Sequence, residues 1–149
     1  MRFTGTIEAK VDAKGRVFFP AAFRRVLQTC GEEQVVLKRD AFEPCLVLYP
    51  WSVWNAEVDE LRARLSRWNA RHAQIFRRFV ADVEIMSLDS NGRLLLPKRY
   101  QQMAGIEQDV VFVGMDNTVE LWAKGCLEKS LPDDKTFEND LQEIMNGKL

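Results

Sequence analysis

Apolar and polar residues alternate from Thr6 to Val11 and again from Val83 to Leu88, the period-two signature of a strand with one buried face. Each alternating segment runs into a turn and then a short apolar run, Val17–Phe19 or Leu94–Leu96, closed by a proline. Beyond Pro20 and Pro97 the pattern becomes helical. The segments "AAFRRVLQ" and "KRYQQMA" each predict a short helix with proline at its first position and Gly31 or Gly105 past its end. Two more strands follow in each half, Val35–Lys38 with Cys45–Tyr49 and Val110–Val113 with Val119–Trp122. The chain therefore reads twice as β-β-α-β-β.

The two readings align. "DAKGRVFFP" at Asp12–Pro20 returns as "DSNGRLLLP" at Asp89–Pro97, an offset of 77 that also pairs Phe23 with Tyr100. Downstream, "EQVVL" faces "QDVVF" at an offset of 75 and "LVLYP" faces "VELWA" at 73, the lost residues falling in loops where insertions cost little. An internal duplication follows, with a period longer than that of solenoid arrays. One unit has too few strands and too short a helix to bury both faces, so the two copies are expected to share a single β core.

Other segments stand outside the repeat. Trp54, Val58, Leu61, Leu65 and Trp68 form an amphipathic stripe that His72, Phe76 and Phe79 continue. It fits one long helix or two helices breaking near Ser66–Asn69, with the aromatic residues packing within the subunit or against a neighbour. After Pro132 a second amphipathic helix is predicted, capped by Asp133 or Asp134, with Phe137, Leu141, Ile144 and Met145 along one side. The predicted organisation is a first repeat over 1–52, a helical insert over 53–81, a second repeat over 82–125 and an acidic helical tail over 126–149.

Net charge is −1, but unevenly spread: residues 126–149 sum to −3, leaving +2 on the rest. Basic residues gather at Lys10, Lys14, Arg16, Arg24 and Arg25 and again from Arg62 to Arg78. Such asymmetry permits a local polyanion-binding face. Cys30, Cys45 and Cys126 make no CxxC or Cys/His set, which predicts free thiols in a reducing cytoplasm. No leader-like segment or membrane-length apolar run is evident, so no membrane partner is expected. No nucleophile motif or phosphate-cradling loop appears, and the single histidine, His72, lies on the apolar stripe. An enzyme, a cofactor, a metal and a small-molecule substrate are all unexpected.

The chemistry is concentrated in the repeated loop. "DAKG" and "DSNG" read as hairpin turns, since the Asp12 and Asp89 carboxylates accept backbone N–H bonds and Gly15 and Gly92 accept a positive φ. Such turns would set the following arginines at hairpin tips. Turn chemistry alone does not require an arginine after the glycine in both copies. Arg16 and Arg93 serve either as ion partners of the aspartates or as projecting guanidiniums, whose planar fork matches phosphate or a guanine edge. Lys14 and Asn91 sit beside them as candidate backbone contacts.

These blocks resemble the MraZ family of bacterial transcriptional regulators, associated with the division and cell-wall gene cluster. "FTGTIEAKVDAKGRVFFPAAFR", "CLVLYPWSVW", "FRRFVADVEIMSLDSNGRLLLP" and "VVFVGMDNTVELW" carry the likeness, over nearly residues 1–125. The resemblance implies an α+β fold of two tandem SpoVT-AbrB-like swapped-hairpin units forming one β-barrel-like pseudo-dimer. It also implies a cytoplasmic, nucleoid-associated, ring-shaped homo-oligomer that binds double-stranded promoter repeats. The contacts would come from Asp12, Lys14, Arg16, Asp89, Asn91 and Arg93, with repression the expected sense. The insert departs from the family in lacking a proline-containing break between its two helices. The alternative is a protein-binding module or ring scaffold of antitoxin-like fold without DNA binding.

Overall fold

The computed structural model describes residues 1–148. Eight strands and six helices follow one another: β1 (Thr6–Lys10), β2 (Arg16–Phe18), α1 (Ala21–Thr29), β3 (Val35–Arg39), β4 (Leu46–Pro50), α2 (Trp51–Arg64) and α3 (Ala70–Ala81), then β5 (Val83–Met86), β6 (Arg93–Leu95), α4 (Lys98–Met103), β7 (Asp109–Met115), β8 (Thr118–Ala123), α5 (Leu127–Ser130) and α6 (Asp134–Met145). Each repeat supplies β-β-α-β-β as expected. The prolines stand one place earlier than expected, at the N-caps of α1 and α4, where a missing N–H costs the helix nothing.

Strand pairing crosses between the repeats. The main sheet is antiparallel in the order β1-β7-β8-β4-β3-β5, and β2 pairs with β6 in a separate two-stranded ribbon. The first strand of each repeat thus lies against the third strand of the other: β1 runs along β7 from Thr6↔Val113 to Lys10↔Asp109, and β5 along β3 from Val35↔Met86 to Lys38↔Val83. Exchanging β1 with β5, β3 with β7 and β4 with β8 returns the same order reversed. The sheet stays open, with β1 and β5 at its ends, so the expected barrel is not closed.

The outcome corrects the reading of the D-x-x-G-R segments as hairpin tips. β1 and β2 are not partners, so the loop between them carries the chain from the sheet to the ribbon. Alternation reveals that a strand has a buried face but not which strand lies beside it, and a tight turn does not oblige its flanks to pair.

One core serves both repeats. Phe19, Phe23, Leu37, Leu46 and Leu48 from the first copy and Leu94, Leu96, Tyr100, Phe112 and Leu121 from the second belong to a single buried cluster. Phe19 meets Phe23 and Phe112 at ring-centroid distances of 5.9 and 5.8 Å. Full burial of each such side chain is worth about 1.5–3 kcal/mol, and little of it survives in one copy alone.

The insert resolves into two helices. No proline or glycine breaks it. Asn69 Oδ1 instead accepts the backbone N–H of Arg71 and His72, and Ser66 N–H donates to His72 Nδ1 at 2.9 Å. The lone histidine therefore serves the turn. Trp54 is buried and stacks on Phe79 at 5.5 Å, whereas Trp68, on the same stripe by count, is 97% exposed because the helix has already ended. At the tail, Asp133 is the cap, accepting from Thr136 N–H at 2.7 Å, and the residues of α6 beyond it are exposed. No helix is long and apolar enough to cross a membrane among the described residues.

Candidate functional site

The two loops are built alike, bond for bond. Asp12 N–H donates to the Arg16 carbonyl at 2.8 Å and Gly15 N–H to the Asp12 carbonyl at 3.0 Å; Asp89, Arg93 and Gly92 repeat this at 2.9 and 2.9 Å. Asp12 Oδ1 accepts the N–H groups of Lys14 and Arg16 at 3.0 and 2.8 Å, while Oδ2 accepts Arg16 Nε at 2.8 Å. Asp89 does the same with Asn91, Arg93 and Arg93 Nε at 2.9, 2.9 and 2.8 Å. One carboxylate oxygen thus fixes the backbone and the other aims the guanidinium.

Both glycines are required by geometry. Gly15 has φ +84° and Gly92 φ +80°, in the region that favours glycine. A Cβ at Gly15 would also lie 2.8 Å from the Leu96 carbonyl oxygen, which accepts no such approach. The close fit arises because each loop enters the ribbon: Leu96 N–H donates to the Gly15 carbonyl at 2.8 Å and Phe19 N–H to that of Gly92 at 3.0 Å.

The ribbon brings the two arginines together. Val17 pairs with Leu94 and both point into the core, so Arg16, Phe18, Arg93 and Leu95 point out. Arg16 lies opposite Leu95 and Arg93 opposite Phe18, which makes the arginines diagonal neighbours, with about 7–8 Å expected between such positions. The Arg93 guanidinium stands 5.9 Å from the centre of the Phe18 ring. Neither arginine uses its Nη groups in a hydrogen bond among the described residues, which leaves the end-on Nη1/Nη2 edge of each partly exposed guanidinium unpaired. Lys14 and Asn91 lie exposed in their loops, bound only through their backbones. The two arginines and the aspartates that hold them thus share the ribbon's outward face, with Lys14 and Asn91 exposed in loops at its opposite ends.

Two features of that surface escaped the sequence. Arg24 Nη1 donates to the carbonyls of Phe19 and Gly92, at 3.0 and 3.3 Å, and so straps the second loop from the first repeat's helix. Gln101 Nε2 donates to the Leu96 carbonyl at 2.9 Å, a bond within the second repeat that matches Arg24 to Phe19 but does not cross to the first loop. The other feature is an exposed apolar pair, Phe18 and Leu95, each 58% exposed. Both pairs obey the offset of 77, but unlike residue types hid the correspondence.

The Arg16 and Arg93 backbone N–H groups, reinforced by the guanidiniums, hold the Asp12 and Asp89 carboxyls below their ordinary value of 3.8. A depressed carboxylate stabilises the fold fully above the unfolded value, and the contribution is lost as pH falls through the folded one. The stability difference between the wild type and Asp12→Asn/Asp89→Asn is therefore expected to hold constant above about pH 5 and to vanish in acid well below 3.8. Urea melts of both proteins across that range would check it.

Among the described residues, no three His, Cys, Asp or Glu side chains gather as metal ligands. The site is a rigid pair of acid-oriented guanidiniums on a β-ribbon, fit for binding an anionic or hydrogen-bonding partner rather than for bond-making. That defines a binding protein of α+β fold whose duplicated loops form one platform. The family model described as "MraZ protein, putative antitoxin-like" matches residues 2–77 and 80–143. A protein named transcriptional regulator MraZ from Bacteroides fragilis is 57% identical over 145 residues, 97% of this chain and 92% of its own length. The protein of that name from Phocaeicola vulgatus is 53% identical (97% and 94% covered), and that from Serratia proteamaculans 33% (99% and 96%). The chain belongs to the MraZ family, whose curated members here are named as transcriptional regulators and not as enzymes.

Proposed function

We propose that this protein regulates transcription by binding double-stranded promoter DNA through the ribbon that carries Arg16 and Arg93. The observation carrying the proposal is the common outward face of the two arginines. Each is clamped at Nε by its aspartate and free at Nη, the geometry in which a guanidinium binds phosphate or a guanine edge in bidentate fashion. Lys14 and Asn91 flank the contact. The crossed pairing of the repeats supports an AbrB-like pseudo-dimer of swapped units. Further assembly into a ring-like homo-oligomer would present one platform per subunit to successive promoter repeats, in the cytoplasm and on the nucleoid. The division and cell-wall gene cluster is the proposed target, with repression the proposed sense; no cofactor is needed.

Gel-shift titrations decide it, with promoter fragments of that cluster set against shuffled DNA of equal length at two salt concentrations. The promoter should bind at least about 10³-fold tighter, and both affinities should fall with salt. Equal affinity for the two DNAs would overturn sequence-specific binding, and no binding to either would leave the protein-scaffold reading in its place.

A further inference from the structure

The helix α6 is amphipathic and has no partner. Phe137, Leu141, Ile144 and Met145 are 56, 45, 53 and 76% exposed, and every other residue of the helix is exposed as well. Their spacing puts all four on one side, with Glu138 and Asp140 flanking them. Elsewhere in the chain a cleft has the opposite character. Between α2 and α3 a cavity of about 370 Å³ is lined by the half-buried Leu65, Ala73 and Phe76 and by the exposed Arg62, Arg67 and Arg77. The Arg62 guanidinium lies 4.5 Å over the Phe76 ring. From 62 to 78 the sequence holds six arginines and no acid, and of these only Arg64 has an ion partner among the described residues.

We infer that α6 of one copy docks in the α2–α3 cleft of the next. Apolar stripe would meet apolar lining, and the flanking carboxylates would meet the cleft's arginines, where pairing shielded from water gains most. The wider groove beside α3 is a poorer fit, since Lys38, Arg39 and Arg78 there face Asp40, Glu43 and Asp82. The chain's own α6 does not occupy the cleft. It leaves the body beside the β3–β4 loop, where Ser130 Oγ donates to Glu43 Oε2 at 3.1 Å. Because helix and cleft are different surfaces, copies can join head to tail as well as by reciprocal exchange, and head-to-tail contacts close into rings when the rotation permits. The inference rests on the homo-oligomer proposed above and gives it a contact.

Two variants test it: Arg67→Glu/Arg77→Glu in the cleft and Glu138→Lys/Asp140→Lys on α6. Mass by light scattering at micromolar concentration is the readout, with melting temperature as the control for folding. The wild type should weigh several times 17.2 kDa, and each variant should fall to a single chain with its melting temperature kept. An equimolar mixture of the two should regain the multiple mass, since each charge-reversed cleft then meets an oppositely charged helix. A monomeric wild type would overturn the oligomer and this contact together. A multimeric wild type whose mass survives in both variants would overturn the contact alone. A cleft variant that keeps its mass but loses DNA would make the arginines a nucleic-acid contact, and the inference would fall.

Discussion

The Arg16→Ala/Arg93→Ala protein is expected to melt within a few degrees of the wild type and to lose most of its affinity for promoter DNA. The small stability effect follows from the loop's division of labour. Asp12 Oδ1 and Asp89 Oδ1 keep their two backbone amides whether or not the guanidinium is present, so the turn persists. The bond that is lost joins partly exposed groups, and pairs of that kind contribute about 0–1 kcal/mol. The binding loss is larger. A bidentate contact to a base is worth about 1–3 kcal/mol, and two are removed from every subunit of an assembly bound at several repeats, where losses multiply. If the arginines touch phosphate alone, affinity should fall evenly across sequences and the salt slope should drop by about 0.9 per contact. A double variant that binds promoter DNA as the wild type does, but melts early, would make the arginines turn partners and nothing more.

Cutting the chain between the repeats is expected to unfold both pieces. Fragment 1–81 retains β3 against β4 but loses β7 beside β1, β5 beside β3 and β6 beside β2. Fragment 82–149 likewise keeps only β7 against β8. Each would expose bare strand edges and half of a core in which Phe19 packs on Phe112. Circular dichroism and sedimentation should show disordered or aggregated fragments, while co-expression should recover a folded complex. A cooperatively melting, soluble monomer of either fragment would contradict a shared core.

Much of this was legible in the chain because punctuation and periodicity are local. Pro20, Pro97, Gly31 and Gly105 mark the ends of α1 and α4, and the aspartate–arginine loops announce themselves by recurring. What the pattern left open depends on contacts distant in sequence. Alternation at Thr6–Lys10 fits many partners, and only the assembled sheet sets β1 beside β7. The break in the insert had no breaker residue to signal it, since ordinary side chains, Asn69 and His72, cap and close the turn. Arg24 was visible only as one of several basic residues. Its strap onto the Gly92 carbonyl needed the ribbon to bring position 92 within reach.

The two loops share a skeleton but not their dress. Lys14 stands where the second copy has Asn91, and Arg24 reaches across to the second loop's Gly92 carbonyl where its counterpart Gln101 stays within its own repeat. A dimer of identical chains must present two equal reading heads related by a two-fold rotation, and its operators become palindromes in consequence. A fused and diverged pair is free of that obligation. Its platform has a front and a back, so on the proposed duplex target it would distinguish one strand direction from the other. Successive subunits facing the same way would then favour sites repeated in tandem over sites that are inverted.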